Sequence, residues 1–247
     1  MANWSDPWTT GAAAASVGTR TASYDAGLRS YMLSVYNYMA SGVLLTGIVA
    51  LLFVNSGYMS LLFSADGHAS ALGWIVMLAP LAVVMVLSFG MQRMSVGAAQ
   101  IAFWAFAALM GLSLSSIFLV YTGTSIAKVF FITAATFGAM SLYGYTTKRD
   151  LSGFGSFLFM GLIGIIIASV VNIFLASSAL SFGISIIGVL LFVGLTAYDT
   201  QNIKLSYSAS YGSEVLAKSA IMGALKLYLD FINLFLMLLR LVGNQRN

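Results

Sequence analysis

Seven runs of spanning length dominate this 247-residue chain, at about 32 to 54, 71 to 90, 98 to 121, 126 to 145, 154 to 176, 181 to 203 and 222 to 242. A bilayer core about 30 Å thick is crossed by about 20 helical residues, and each run meets that length. Inside hydrocarbon the backbone has no water to bond, so a spanning run must satisfy its own amides and carbonyls as a helix. The chain is therefore read as an all-α polytopic membrane protein with seven transmembrane helices. Charged residues are 7% of the total, against about 25% in globular domains, which excludes a soluble reading. The 24 glycines suit helices that pack closely where no hydrophobic drive acts between them.

Residues 1–28 are rich in Ser, Thr, Ala and Gly and are read as a flexible cytoplasmic N-terminal tail, with residues 29–247 forming one transmembrane domain. No basic start leads into a short early apolar core, so a cleaved signal peptide is not expected. Orientation follows from Lys and Arg near the loops. With the N-terminus inside, Arg20, Arg29, Arg93, Lys148, Arg149, Lys204 and Lys218 lie on the inner side, and Lys128, Arg240 and Arg246 on the outer. That balance places the N-terminus in the cytoplasm. The net charge of +4 is thus a topology signal, spread between spans without a basic cluster, and nucleic acid is excluded as a partner. With no cysteine in the chain, disulfides, thiolate metal sites and a cysteine nucleophile are excluded too.

The last run interrupts its apolar sequence with Lys226, Asp230, Asn233 and Arg240, all within one narrow sector of a helix. Lipid cannot satisfy such a stripe, so it must face protein or a water-filled cavity. A second intramembrane acid, Asp199, lies near the inner end of the sixth run. The sixth and seventh runs are consecutive and antiparallel, which allows the two acids to meet at similar depth. Two carboxylates about 4 Å apart at an effective dielectric near 20 repel by about 4 kcal/mol, so they tend to share a proton and titrate as one unit. Arg93, at the inner end of the second run, has a depth at which it can join them. Plainer roles stand beside these: Asp199 snorkelling or capping a helix end, Lys226 pairing with Asp230 at i, i+4, Arg93 marking an inner loop, and Arg240 anchoring the outer interface. Asn172, in the fifth run, either lines a path or bonds a neighbouring helix.

Residues 194–204, GLTAYDTQNIK, and 224–240, ALKLYLDFINLFLMLLR, closely resemble the two signature segments of the Bax inhibitor family of transmembrane proteins, in its bacterial branch. Length and the seven-run pattern extend the resemblance over nearly the whole chain after the tail. It implies a last helix, central and wrapped by the other six, in a bacterial inner membrane. It also implies a pH-sensitive calcium leak gated by an aspartate pair, to which Asp199 and Asp230 correspond. The family's third partner, an arginine of the second helix, carries over to Arg93. Calcium enters here as the permeating ion, and no cofactor is expected. It is a hard cation suited to carboxylate and carbonyl oxygens. Asp199 and Asp230 would hold it weakly and transiently, since conduction requires that the ion leave. Asn233, Asn172 and Lys226 are candidates for lining its path.

The same resemblance allows a regulatory membrane protein without transport of its own, modulating a membrane-bound protease or a stress response. Oligomeric state is left open. Enzymatic function is not expected: Tyr198 and Asp199 match the first motif of intramembrane aspartyl proteases, but Asp230 follows Leu-Tyr-Leu where Gly-x-Gly is required. No nucleophile elbow, zinc-protease helix or phosphate-binding glycine loop is present.

Overall fold

The computed structural model describes residues 7–64 and 68–246, apart from the side chains of residues 7–22. The helices are α1 (Pro7–Asn55), α2 (Met59–Leu62), α3 (Ala71–Gly90), α4 (Val96–Leu114), α5 (Ile117–Val120), α6 (Gly123–Thr146), α7 (Ser152–Leu175), α8 (Ser178–Leu205) and α9 (Ser213–Val242), with a 3-10 turn at Met91–Arg93 after α3. Among the described residues seven spans are long and apolar enough to cross a membrane, one for each run of the sequence: α1, α3, α4 continued by α5, and α6 to α9.

Two boundaries differ from expectation. Helix α9 starts at Ser213 rather than near 222, because the segment before the apolar run carries no helix breaker. Helix α1 starts at Pro7, so helix continues through residues 7–28, which were expected as a flexible tail. Proline suits a first helical position, where its missing N–H has no partner to lose, and the alanines at 12 to 15 favour helix strongly. Residues 1–6 of that tail lie outside the described residues.

Local chemistry sets the other ends. Ser70, Ser95, Thr122 and Ser177 cap α3, α4, α6 and α8, each side-chain oxygen accepting from the N–H three residues on. The connection from α7 to α8 is tight, with Ala176 in the left-handed region at φ 47°. Asn172 closes it. Its Oδ1 accepts from the Ser177 N–H at 3.0 Å and its backbone carbonyl from the Ala176 N–H at 2.8 Å.

Helix α9 is the centre of the molecule. In its most apolar stretch 67% of residues are buried, against 39% or less for any other spanning helix. It packs against α8, α1, α6 and α4, while α3 packs on α4 and α7 on α8. The wrapping expected of six helices is thus graded, with α8, α1, α6 and α4 packed closely on α9 and with α3 and α7 resting mainly on α4 and α8.

What fastens α9 is polar as well as apolar. The fully buried Tyr228 ring meets the Phe103 and Phe106 rings of α4 edge-on, with centroids 6.3 and 5.1 Å away. Its hydroxyl lies 2.6 Å from the Thr46 hydroxyl of α1, which in turn lies 2.8 Å from the Ala107 carbonyl of α4. Tyr228 donates and Thr46 passes its own hydrogen on, so three helices are tied at one point. A second chain joins α1, α6 and α8 through Tyr36, Ser141 and Thr200, at 2.6 and 3.0 Å. Close approach of α6 to α8 depends on Gly144, where a Cβ would run into the Ala197 carbonyl. At the far end of α9, residues 244–246 are strapped to the α5–α6 connection: the Arg246 N–H donates to the Val120 carbonyl at 2.8 Å and the Asn244 N–H to Ser125 Oγ at 2.9 Å.

These contacts rank two substitutions. Gly144→Val forces α6 away from α8 and is expected to cost about 1–3 kcal/mol. Tyr228→Phe removes one hydrogen bond and leaves Thr46 a carbonyl partner, a loss of about 1 kcal/mol. Thermal unfolding in detergent, followed by loss of the monodisperse species, should place Gly144→Val well below Tyr228→Phe, and both below wild type.

Candidate functional site

Helices α8 and α9 form an antiparallel hairpin through residues 206–212. Their register is fixed near the loop by Tyr31 of α1, whose hydroxyl lies 2.8 Å from Ser219 Oγ on α9 and 3.3 Å from Ser206 Oγ just past α8. Moving into the membrane from that level, α8 reaches Asp199 after seven residues and α9 reaches Asp230 after eleven, about 10 and 16 Å along the axes. The two acids come together there, close enough for their side chains to interact.

Asp230 is 5% exposed, and its Oδ2 is buried without a hydrogen-bond partner among the described residues. A carboxylate oxygen only accepts, and so does that of Asp199. Without a proton the pair has no donor between its members. An unsatisfied buried acceptor is costly, and a proton or a cation placed between the two carboxyls is what would offset that cost.

A cavity of about 660 Å³ opens beside the pair, between α7, α8 and α9. Ser156, Tyr198, Asp199, Asn202, Lys226, Asp230 and Asn233 supply its polar lining, and Phe159, Met160, Phe192 and Leu195 are among its apolar walls. Three of the four residues of the polar stripe on the last run therefore share one cavity, and the fourth, Arg240, is exposed near the other end of α9. Asn233 also donates to the Leu229 carbonyl at 2.8 Å, which orients its amide. A smaller cavity of about 170 Å³ continues from Asn202 and Lys226 past Ser206 and Ser219 towards the α8–α9 loop. In the opposite direction α8 and α9 close up. Met237 lies so near Gly188 that a Cβ there would stand 2.8 Å from its side chain, and Ile184, Leu191 and Leu234 are buried.

Arg93 is not part of this constellation. It lies exposed on the 3-10 turn after α3, and α3 packs on α4, which separates it from α8 and α9. The cation that does act on both acids is Lys226. Asn172 is also elsewhere, closing the α7–α8 turn as described, so it contributes to the connection and not to the cavity lining.

Several contributors escaped the sequence. Asn202 follows Asp199 by three residues and so shares its helix face, a signal that was available. Ser156 gives no such signal. Gln201 and Lys204 hold the neighbouring α6–α7 connection: Gln201 accepts from the Leu151 N–H and donates to the Arg149 carbonyl, both at 2.8 Å, and Lys204 donates to the Tyr145 carbonyl at 2.7 Å while lying over its ring. Asp150, in that same connection, is held below the usual carboxylate range by the Ser152 side chain and then by the Ser152 N–H, from which it accepts at 2.9 Å.

Fold and site together define a polytopic α-helical membrane protein with an acid pair set in a cavity beside its central helix. The family model described as "Inhibitor of apoptosis-promoting Bax1" matches residues 28–247, and the chain belongs to this Bax inhibitor family. Among its relatives is the "Inner membrane protein YbhL" of Escherichia coli (strain K12), 54% identical over 90% of this chain and 94% of that protein. Another is "Uncharacterized protein RP147" of Rickettsia prowazekii (strain Madrid E), 52% identical over 93% of this chain and 95% of that one. A more distant relative, "Uncharacterized membrane protein SpyM3_0260" of Streptococcus pyogenes serotype M3, is 39% identical over 89% of this chain and 94% of that protein.

Because the chain has no cysteine, a single introduced one reports access to the cavity. Asn202→Cys sits exposed at the cavity neck and should react with a membrane-impermeant maleimide added from the α8–α9 loop side. Thr200→Cys, on the buried face of the same turn, should stay unlabelled until the protein is unfolded.

Proposed function

We propose that this protein is a proton-sensitive cation leak of the bacterial inner membrane, with calcium as the permeating ion and Asp199 and Asp230 as its sensor. One observation carries the reading: Asp230 lines a cavity large enough for water and ions beside a second acid, and one of its carboxylate oxygens is buried with no donor among the described residues. With one proton between them, one carboxyl donates to the other and α8 is held to α9. With both ionised, mutual repulsion and the pull of any nearby cation load the same contact in the opposite sense. Protonation and cation entry thereby compete for one pair of oxygens. Two carboxylates with amide oxygens from Asn202 and Asn233 are a donor set that a hard divalent cation accepts, and too sparse a set to hold it tightly. The inner-membrane location follows the name of the Escherichia coli relative, and a cytoplasmic N-terminus follows the Lys and Arg balance.

The test is calcium flux through purified protein in liposomes between about pH 6 and 8, wild type beside Asp230→Asn. Wild type is expected to carry a flux that varies with pH. In Asp230→Asn, which keeps the size of the side chain and supplies its own N–H donors, the flux should become independent of pH while the protein still inserts and folds. Retained pH dependence in that variant would remove the acid pair from the mechanism.

A second reading is favoured by the closed contact of Met237 on Gly188, which makes the cavity blind at one end. In it the protein transports nothing and reports the state of the pair to a partner, such as a membrane-bound protease. Folded wild-type protein with no flux at any pH would select it.

A further inference from the structure

We infer that Lys226 weakens the hold of this cavity on divalent cations: its ammonium is a tethered charge at the cavity neck, so that a divalent ion enters without being trapped. The role presupposes that the acids' cavity admits cations, as proposed above, and adds a selecting residue to it.

The position carries the argument. Lys226 and Asn202 line both the cavity at the acid pair and the smaller one leading to the α8–α9 loop. An ion moving between them passes the ammonium. Nothing cancels that charge by contact, because the one ion pair among the described residues is Lys218 with Glu214. Lys226 stands one turn from Asp230 on the same face of α9, with its side chain exposed, and its charge is felt by both acids.

Fully ionised, the fixed charges facing the cavity are two carboxylates and one ammonium. A single negative charge remains. A monovalent ion neutralises it, whereas a divalent ion leaves a net positive charge among the apolar walls of Phe159, Met160 and Phe192, where uncompensated charge is disfavoured. Repulsion from the ammonium is also twice as large for the divalent ion. Removing the ammonium leaves the two negative charges of Asp199 and Asp230 on the cavity, which a divalent ion matches.

The experiment measures Mn²⁺ binding to the purified full chain in nanodiscs, from the loss of the free-ion electron paramagnetic resonance signal. It compares wild type, Lys226→Gln, Lys226→Met, Lys226→Arg and Lys226→Gln combined with Asp230→Asn. Lys226→Gln and Lys226→Met are expected to bind about tenfold more tightly than wild type. Lys226→Arg should match wild type, and adding Asp230→Asn should abolish the gain. Unchanged or weaker binding in both neutral variants would overturn the inference, as would an equal gain in Lys226→Arg or a gain that survives Asp230→Asn. Binding is read without flux. A wild type that carries no calcium into liposomes, beside a Lys226→Gln variant with the expected gain, would overturn the leak and leave the charge filter standing.

Discussion

A helix that carries Lys226, Tyr228, Asp230 and Asn233 cannot face hydrocarbon, and the architecture follows from that constraint. The other spanning helices supply lipid-facing surface, and α9 supplies the polar groups that lipid would reject. Tyr228 is met by Thr46, and Asn233 turns back on its own backbone. Asp230 is the exception: it lines the cavity, and one of its oxygens is a buried acceptor without a partner among the described residues. Among the described residues the scaffold satisfies its buried polar side chains and leaves one carboxylate oxygen, beside the acid pair, without a partner. Chemically, the pair, the ammonium and the two amides form one small electrostatic unit.

Much of this was legible in the sequence. Spanning length and low charge fix the number of helices, and the polar interruptions of the last run identify the one that must be enclosed. Asp199 and Asp230 could be paired because consecutive antiparallel helices bring like depths together. The course of α1 was less legible, since Ser, Thr, Gly and Ala describe a loose tail and a long helix about equally well until Pro7 is seen as a helix start.

The third partner illustrates a different limit. Depth is readable from a hydrophobic run, but azimuth and layer are not. Arg93 has a suitable depth and stands in the wrong layer, behind α4, whereas Lys226 is already on the central helix and needs no neighbour to place it. Asn172 fails for a related reason: an amide near a helix end serves the turn beside it before it serves a distant site. Gln201 and Lys204 went unread because their partners are backbone carbonyls and an amide N–H of another connection, which leave no mark in composition.

The central place of α9 also bears on how the protein is made. The ribosome delivers α1, α3, α4, α6, α7 and α8 before the helix they surround, so each enters the bilayer without the surface it will finally rest on. Thr46, Phe103 and Asp199 wait for their partners on α9, while the early helices can pair among themselves, as α1 with α4, α3 with α4 and α6 with α8. Assembly is completed from within by a late arrival, whose far end is then held by the strap of residues 244–246 to the α5–α6 connection. A nascent chain of this kind spends its synthesis time with an open interior, and the surface that α9 will cover stays exposed until the last helix is made.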